Sequence, residues 1–149
     1  MGEPASETVT DSPSGWVAEH VRRYLETDGA DGHDWNGVPT LLLTTRGRTS
    51  GLWRRTALIY GRAGDEPQAD LVIVASQGGA PDDPSWYKNL QADPVVRLQV
   101  GAERYDARAR TATAEERARL WPAMAAIWPA YDDYQTKTDR EIPVVVLSR

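Results

Sequence analysis

Five arginines fall within positions 41–62, at 46, 48, 54, 55 and 62, and no acid interrupts them. The chain as a whole carries a formal charge of −5, so this run is a local reversal of sign. It brackets the turn Gly47-Arg48-Thr49-Ser50-Gly51. Guanidinium groups such as those of Arg48 and Arg54 bond bidentately to phosphate or carboxylate. Thr49 and Ser50 add hydroxyls and backbone N–H groups of the kind that cradle phosphate. The flanking glycines let the backbone approach a ligand closely. The spacing is neither a Walker A loop, for it lacks Gly-Lys-Ser/Thr, nor a GxGxxG fingerprint. A small anion is the chemistry these types can serve; a hairpin turn with solvated arginines is the plainer alternative.

Three further groups stand apart from that turn. Ser76-Gln77-Gly78-Gly79 follows the apolar run Leu71-Val72-Ile73-Val74. Two adjacent glycines leave backbone N–H groups uncovered, so a flat conjugated ring can lie there with its oxygens bonded to main-chain amides; a flexible loop is the alternative. Trp86, Asn89 and Leu90 share a helical face by their i, i+3, i+4 spacing, as core or as the border of a site. Trp128, Tyr131 and Tyr134 recur every three residues. Such stripes commonly belong to a core, but a tyrosine there can donate a hydrogen bond or proton to a substrate oxygen.

Other chemistries are excluded by composition. There is no cysteine, and His20 and His33 are the only histidines. Disulfides and thiolate metal sites are ruled out, and neither histidine has partners spaced for zinc or a Ser-His-Asp triad. No metal site is expected.

These groups must be held by something. With 149 residues and 40% apolar side chains, the chain reads as one domain over 15–149 behind a flexible segment, 1–14. Trp16, Val17, His20, Val21, Tyr24 and Leu25 predict an amphipathic helix over 15–27. A Gly/Asp-rich loop follows. Strands are predicted over 40–46, 53–62 and 69–76, joined by short connections that favour antiparallel pairing. Asp83-Pro84 reads as an N-cap with proline at the first helical position, opening a helix to about Gln91. Residues 95–100 and 103–110 form a hairpin around Gly101-Ala102. Thr113 and Glu116 have the spacing of a capping box, and the helix they open should become irregular at Pro122 and Pro129. Residues 142–147 close the chain as a strand. About six mostly antiparallel strands with three or four flanking helices make an antiparallel α+β fold or a small barrel.

Charge bears on partners. Residues 1–34 hold eight acids and two arginines, and the remainder fourteen acids against fifteen basic residues. A nucleic-acid binder is basic over a broad face, and none is expected here. No stretch reaches the roughly 20 apolar residues of a membrane span, and the first residues lack the pattern of a secretory signal. A cytoplasmic location follows as the expectation. The apolar face of helix 15–27 offers peripheral contact with the inner face of a membrane or packing on the barrel, and the acids around it disfavour anionic lipid.

The motifs together resemble the F420-dependent nitroreductase family, a deazaflavin-dependent group with a split β-barrel fold related to flavin-binding proteins. The resemblance runs from about Pro39 to the C-terminus. Its carriers are residues 41–51 with Arg54, Val74-Ala75-Ser76-Gln77-Gly78-Gly79, Asp83-Pro84-Ser85-Trp86-Tyr87-Lys88-Asn89-Leu90, residues 109–117, Tyr131-Asp132-Asp133-Tyr134-Gln135 and Thr138-Asp139-Arg140-Glu141-Ile142-Pro143. It implies coenzyme F420, an 8-hydroxy-5-deazaflavin with an anionic tail, and hydride transfer from its reduced form to an electron-poor quinone, enone or nitroaromatic. It implies that Arg48, Thr49, Ser50 and Arg54 hold the tail. Thr56, Ala57, Leu58, Ala75, Ser76, Gln77, Gly78 and Gly79 would line the ring, bordered by Trp86, Tyr87, Asn89 and Leu90. Tyr134 and Ser76, with Tyr131, are the implied catalytic groups; Ile59, Trp128, Tyr131 and Tyr134 form the implied substrate pocket. Thr49 and Gln77 replace lysines common in the family, and Ile59 and Trp128 replace tyrosines. A homodimer is implied because related split barrels pair. An FMN-dependent reductase on the same barrel is the runner-up, and a non-catalytic carrier of coenzyme or lipid is a third reading.

Overall fold

A computed structural model describes residues 9–11, 15–35, 37–66 and 68–149. The central pair is β3 (Val38–Arg46) and β4 (Trp53–Ile59), antiparallel in a register running from Thr40↔Ile59 to Arg46↔Trp53. Residues 41–45 are all buried, because β3 is covered on both sides, and a strand covered twice reads as an unbroken run of apolar and threonine side chains. The turn between the two strands closes with Gly47 N–H donating to the Leu52 carbonyl at 2.7 Å and Gly51 N–H to the Gly47 carbonyl at 2.9 Å.

The remaining strands are β1 (Val9–Asp11), β2 (Asp34–Trp35), β5 (Gly61–Arg62), β6 (Leu71–Val74), β7 (Val95–Val100), β8 (Glu103–Thr111) and β9 (Val144–Ser148). Their order across the sheet is β1-β4-β3-β7-β8-β9-β6-β5, with β2 paired to β3. Among the described residues every pairing is antiparallel except β1 with β4. The predicted strand 53–62 breaks at Tyr60. Below the break β4 pairs with β3; above it β5 pairs with β6. Strands adjacent in sequence thus lie near opposite ends of the sheet path, so the sheet must curl until those ends meet at Tyr60. That curl makes the α+β split barrel anticipated from the sequence.

Three apolar clusters fill it. Leu41, Leu43, Ile73, Val96, Leu98, Val145 and Leu147 form the barrel interior. Val72, Val74, Val144 and Val146, on alternate positions and so on the opposite face, pack under α3 (Ala114–Ile127) and α4 (Ala130–Thr136) through Leu120, Met124 and Tyr131. The third lies under α1 (Gly15–Glu26), whose Val21 and Tyr24 are fully buried against Leu42. Burying each is worth about 1.5–3 kcal/mol. The face considered for a membrane is therefore spent on the sheet, at least through these side chains; Trp16's side chain lies outside the described residues. Tyr24 Oη also donates to the Thr40 carbonyl and accepts from Gly101 N–H, at 3.1 and 2.6 Å.

The Thr113–Glu116 capping box forms as read. Pro84 is not the first helical residue of α2 (Ser85–Ala92) but its cap, extended at φ −64°, ψ 152°; its carbonyl accepts from Tyr87 and Lys88. Asp83, freed from capping, meets Arg140 at 2.8 Å. Pro122 does not interrupt α3. Both Pro122 and Ala118, whose carbonyl loses its partner, are exposed, so water replaces that bond. Within the segment taken as flexible, residues 9–11 form strand β1 beside Trp53, Arg54 and Arg55; its other residues lie outside the described ones.

Candidate functional site

A cleft of about 960 Å³ opens between the β3–β4 turn, the loop after β6 and the helices. Arg48, Thr49, Ser50, Arg54 and Arg55 line one end of it. The turn is fixed by Asn89 of α2, which is 2% exposed. Asn89 Oδ1 accepts from Arg48 N–H at 3.2 Å and from Arg48 Nη1 at 2.8 Å, while its Nδ2 donates to Thr45 Oγ1 at 3.2 Å. One buried amide thereby ties the arginine turn to a helix and a core strand. Arg46 is not part of this end. Its guanidinium stacks on Trp53, 5.0 Å from the ring centroid, and Arg97 does the same at 4.1 Å. Among the described residues no Asp or Glu lines the cleft, so Arg48 and Arg54 make this end positive.

The floor is the loop after β6. Gln77, Gly78 and Gly79 have φ of 45°, 65° and 85°. Ser76 is right-handed helical at φ −80°, ψ −37°, and a right-handed residue followed by a left-handed one turns successive N–H groups toward one point. Gly79 has no alternative: a Cβ would lie 2.6 Å from the Tyr134 carbonyl oxygen. Ser76, Gln77 and Gly78 line the cleft, whereas Gly79 packs against α4. Arg140 holds the loop from behind, donating to the carbonyls of Ala80, Ser76 and Ala75 at 2.9, 2.9 and 3.3 Å. This fixing role is invisible in the sequence, where Arg140 is one more charge in a polar stretch.

The far end is aromatic. Trp128, Tyr131 and Tyr134 line it with Ile59 and Val74. Trp128 Nε1 donates to Tyr134 Oη at 3.4 Å, and the rings of Tyr131 and Tyr134 meet edge-on at 6.1 Å. Tyr131 is 5% exposed; burial, reinforced by neighbouring Tyr134, pushes its phenol well above the ordinary value. Thr56, Ala57, Leu58, Trp86 and Asn89 also line the cleft, as anticipated. Ala75, Tyr87 and Leu90 do not. They sit in the barrel core, and Tyr87 Oη bonds Thr111 Oγ1 at 2.6 Å; they support the floor from beneath.

Several lining residues escaped the sequence reading. Val17 and His20 come from α1, where the helical face gave a signal that went to packing instead. Arg55 did not escape it: the arginine run of the sequence includes it. Trp35 gave no signal, lying in what reads as a loop; it meets Trp128 at 5.2 Å, tilted by 42°. Among the described residues no three His, Asp or Glu side chains gather to hold a metal, and no helix is long and apolar enough to cross a membrane.

The curled sheet, with its cleft at the seam, is a split barrel. A solved structure described as an F420-H2 dependent reductase matches with a TM-score of 0.65 at 40% identity, over 74% of this chain and 94% of that one. Another, described as a domain-swapped dimer, matches with a TM-score of 0.68 at 40% identity, over 92% and 100%. More narrowly, residues 16–149 match the model of the F420H(2)-dependent quinone reductases, and the chain belongs to that family. An F420H(2)-dependent quinone reductase of Mycobacterium tuberculosis is 39% identical over 91% of this chain and 97% of its own, as is a putative one of Mycobacterium bovis. The protein is thus an F420-dependent oxidoreductase, with F420 rather than FMN as its coenzyme and catalysis rather than storage as its class. Its residues fit that coenzyme: Arg48 and Arg54 at one end of a cleft that no Asp or Glu lines among the described residues, and backbone amides turned toward one point at the floor for the oxygens of a flat ring.

Proposed function

We propose that this cleft reduces quinones, with Arg48, Thr49, Ser50 and Arg54 holding the anionic tail of F420 and residues 56–58 and 76–78 lining its ring. Reduced F420, when bound, supplies a hydride. The protein's part is to place and protonate the acceptor. Trp128, Tyr131 and Ile59 wall it, excluding water from the reacting atoms. Tyr134 and Ser76 supply hydroxyl hydrogens to its oxygens, and enones and nitroaromatics with exposed oxygens suit the same wall. The resemblance to a domain-swapped dimer supports a homodimer in solution.

The carrying observation is that one cleft joins the turn carrying Arg48 and Arg54, with no Asp or Glu in its lining among the described residues, to an aromatic end. Two measurements test it. Reduced F420 should be oxidised faster with menadione when the protein is added; no acceleration overturns the quinone reading. In Arg48→Ala/Arg54→Ala, F420 binding followed by the coenzyme's own fluorescence should weaken by about a hundredfold or more, from two charge-assisted contacts. Unchanged affinity in a variant with native circular dichroism overturns the tail assignment.

A further inference from the structure

Trp35 enters the cleft from a short arm that precedes β3. β2 is two residues long and, among the described residues, pairs with the start of β3, Asp34 opposite Pro39 and Trp35 opposite Val38. The arm's tip is held by Gly37 N–H donating to Asp34 Oδ1 at 2.9 Å. Its base is tied more firmly. Thr40 N–H donates to the His33 carbonyl at 2.7 Å, Thr40 Oγ1 donates to the Gly32 carbonyl at 2.6 Å, and His33 Nε2 meets Tyr60 Oη at 2.9 Å. Tyr60 is 5% exposed and belongs to the core. An arm with a fixed base presents its side chain at a fixed place, and that place is opposite Trp128.

The two indoles come from unrelated elements, one on β2 and one between α3 and α4. Both line the cleft at the end away from the arginine turn, in company with Ile59, Tyr131 and Tyr134. Their centroids are 5.2 Å apart, within the range at which aromatic rings attract one another. Closing the end of a cleft in this way limits the width of what lies beyond the coenzyme's floor.

We infer that Trp35 is a specificity-determining residue, setting with Trp128 the upper width of the acceptor and stacking on those narrow enough to enter. This rests on the reading of the cleft as a quinone reductase site. Its consequence is asymmetric. Removing the Trp35 indole should weaken binding of a two-ring acceptor, which loses a stacking surface, and improve access for a three-ring one, which loses an obstacle.

The test uses the full chain loaded with reduced F420 under anaerobic conditions, with menadione and 9,10-phenanthrenequinone as acceptors. For Trp35→Ala, KM for menadione should rise by about three- to tenfold, the scale of one aromatic contact, with kcat nearly unchanged. KM for phenanthrenequinone should fall or hold, so that the ratio of the two kcat/KM values moves toward the larger quinone. Trp35→Phe, which keeps a flat ring, should restore most of the menadione affinity. A readout independent of turnover is the exciton couplet that paired indoles give in far-ultraviolet circular dichroism: it should disappear in both variants while the rest of the spectrum is kept, and it should change when menadione alone is added to coenzyme-free wild-type protein. An unaltered acceptor ratio in Trp35→Ala, with the couplet lost and the fold intact, overturns the inference while leaving the quinone reductase reading standing. A wild-type protein inert toward both quinones fails that reading instead.

Discussion

An indole N–H can only donate, so the contact between Trp128 Nε1 and Tyr134 Oη uses the phenol oxygen as acceptor. The hydroxyl hydrogen of Tyr134 is thereby left to point elsewhere, and the cleft is the side it lines. Tyr131 stands differently. It is almost wholly buried, and burial makes its phenol a weaker acid than usual, which suits a wall more than a proton donor. Tyr134→Phe should therefore lower kcat by about a hundredfold, the lower range for losing a positioned acid, while F420 affinity stays constant. Tyr131→Phe should change kcat far less. Steady-state rates with menadione, beside fluorescence titrations of the coenzyme, separate the two; equal losses from both would refute the assignment. Arg48 and Arg54 were legible because a cluster of like charge in an acidic chain is costly unless something answers it. Arg46 belonged to that cluster and was misleading, since its stacking on Trp53 depends on the register Arg46↔Trp53.

Elements were readable where local chemistry decides them. The six long strands lie in apolar or alternating runs, and the α3 cap follows from Thr113 and Glu116 alone. The break at Tyr60 was not readable, because it comes from a change of partner strand, a tertiary event with no local residue signal. Trp35 was hidden for the same reason: β2 exists only by pairing with β3. Pro84 looked like a helix start and proved to be a cap because Asp83 was drawn to Arg140, a residue 57 positions away. The α3 cap itself carries a pH dependence. Arg110 bonds both carboxylate oxygens of Glu116, and with the Thr113 N–H it holds that carboxyl down to about 2 from 4.5. A pKa lowered on folding means stability that is present above pH 4.5 and lost as pH falls toward 2. Urea titrations of wild type and Glu116→Gln should show a gap between their midpoints at neutral pH that narrows across this window. A gap independent of pH would exclude the carboxylate as its source.

At the scale of the whole molecule, the cleft has no wall of its own. Its lining comes from α1, β2, β3, β4, β6, α2 and α4 together with the turn and loop between them. β4 and β6 lie toward opposite ends of the sheet path and face one another because the sheet curls. Separating them for any purpose means uncurling the barrel. A ligand that spans the cleft therefore binds the folded state as a unit, and its binding energy must appear in global stability. At a free F420 concentration about a hundredfold above Kd this linkage is worth about 2.7 kcal/mol, and for a chain of this size it should raise Tm by about 5–10 °C. Tryptophan fluorescence reports the cleft through Trp35, Trp86 and Trp128, and circular dichroism reports the sheet. Both melting curves should shift together with F420, and in Arg48→Ala/Arg54→Ala the shift at the same concentration should shrink to about 1–2 °C or less. If the fluorescence transition moves while the circular dichroism transition stays, the cleft opens without the barrel, and the coupling of ring site to fold through the Tyr60 closure is wrong.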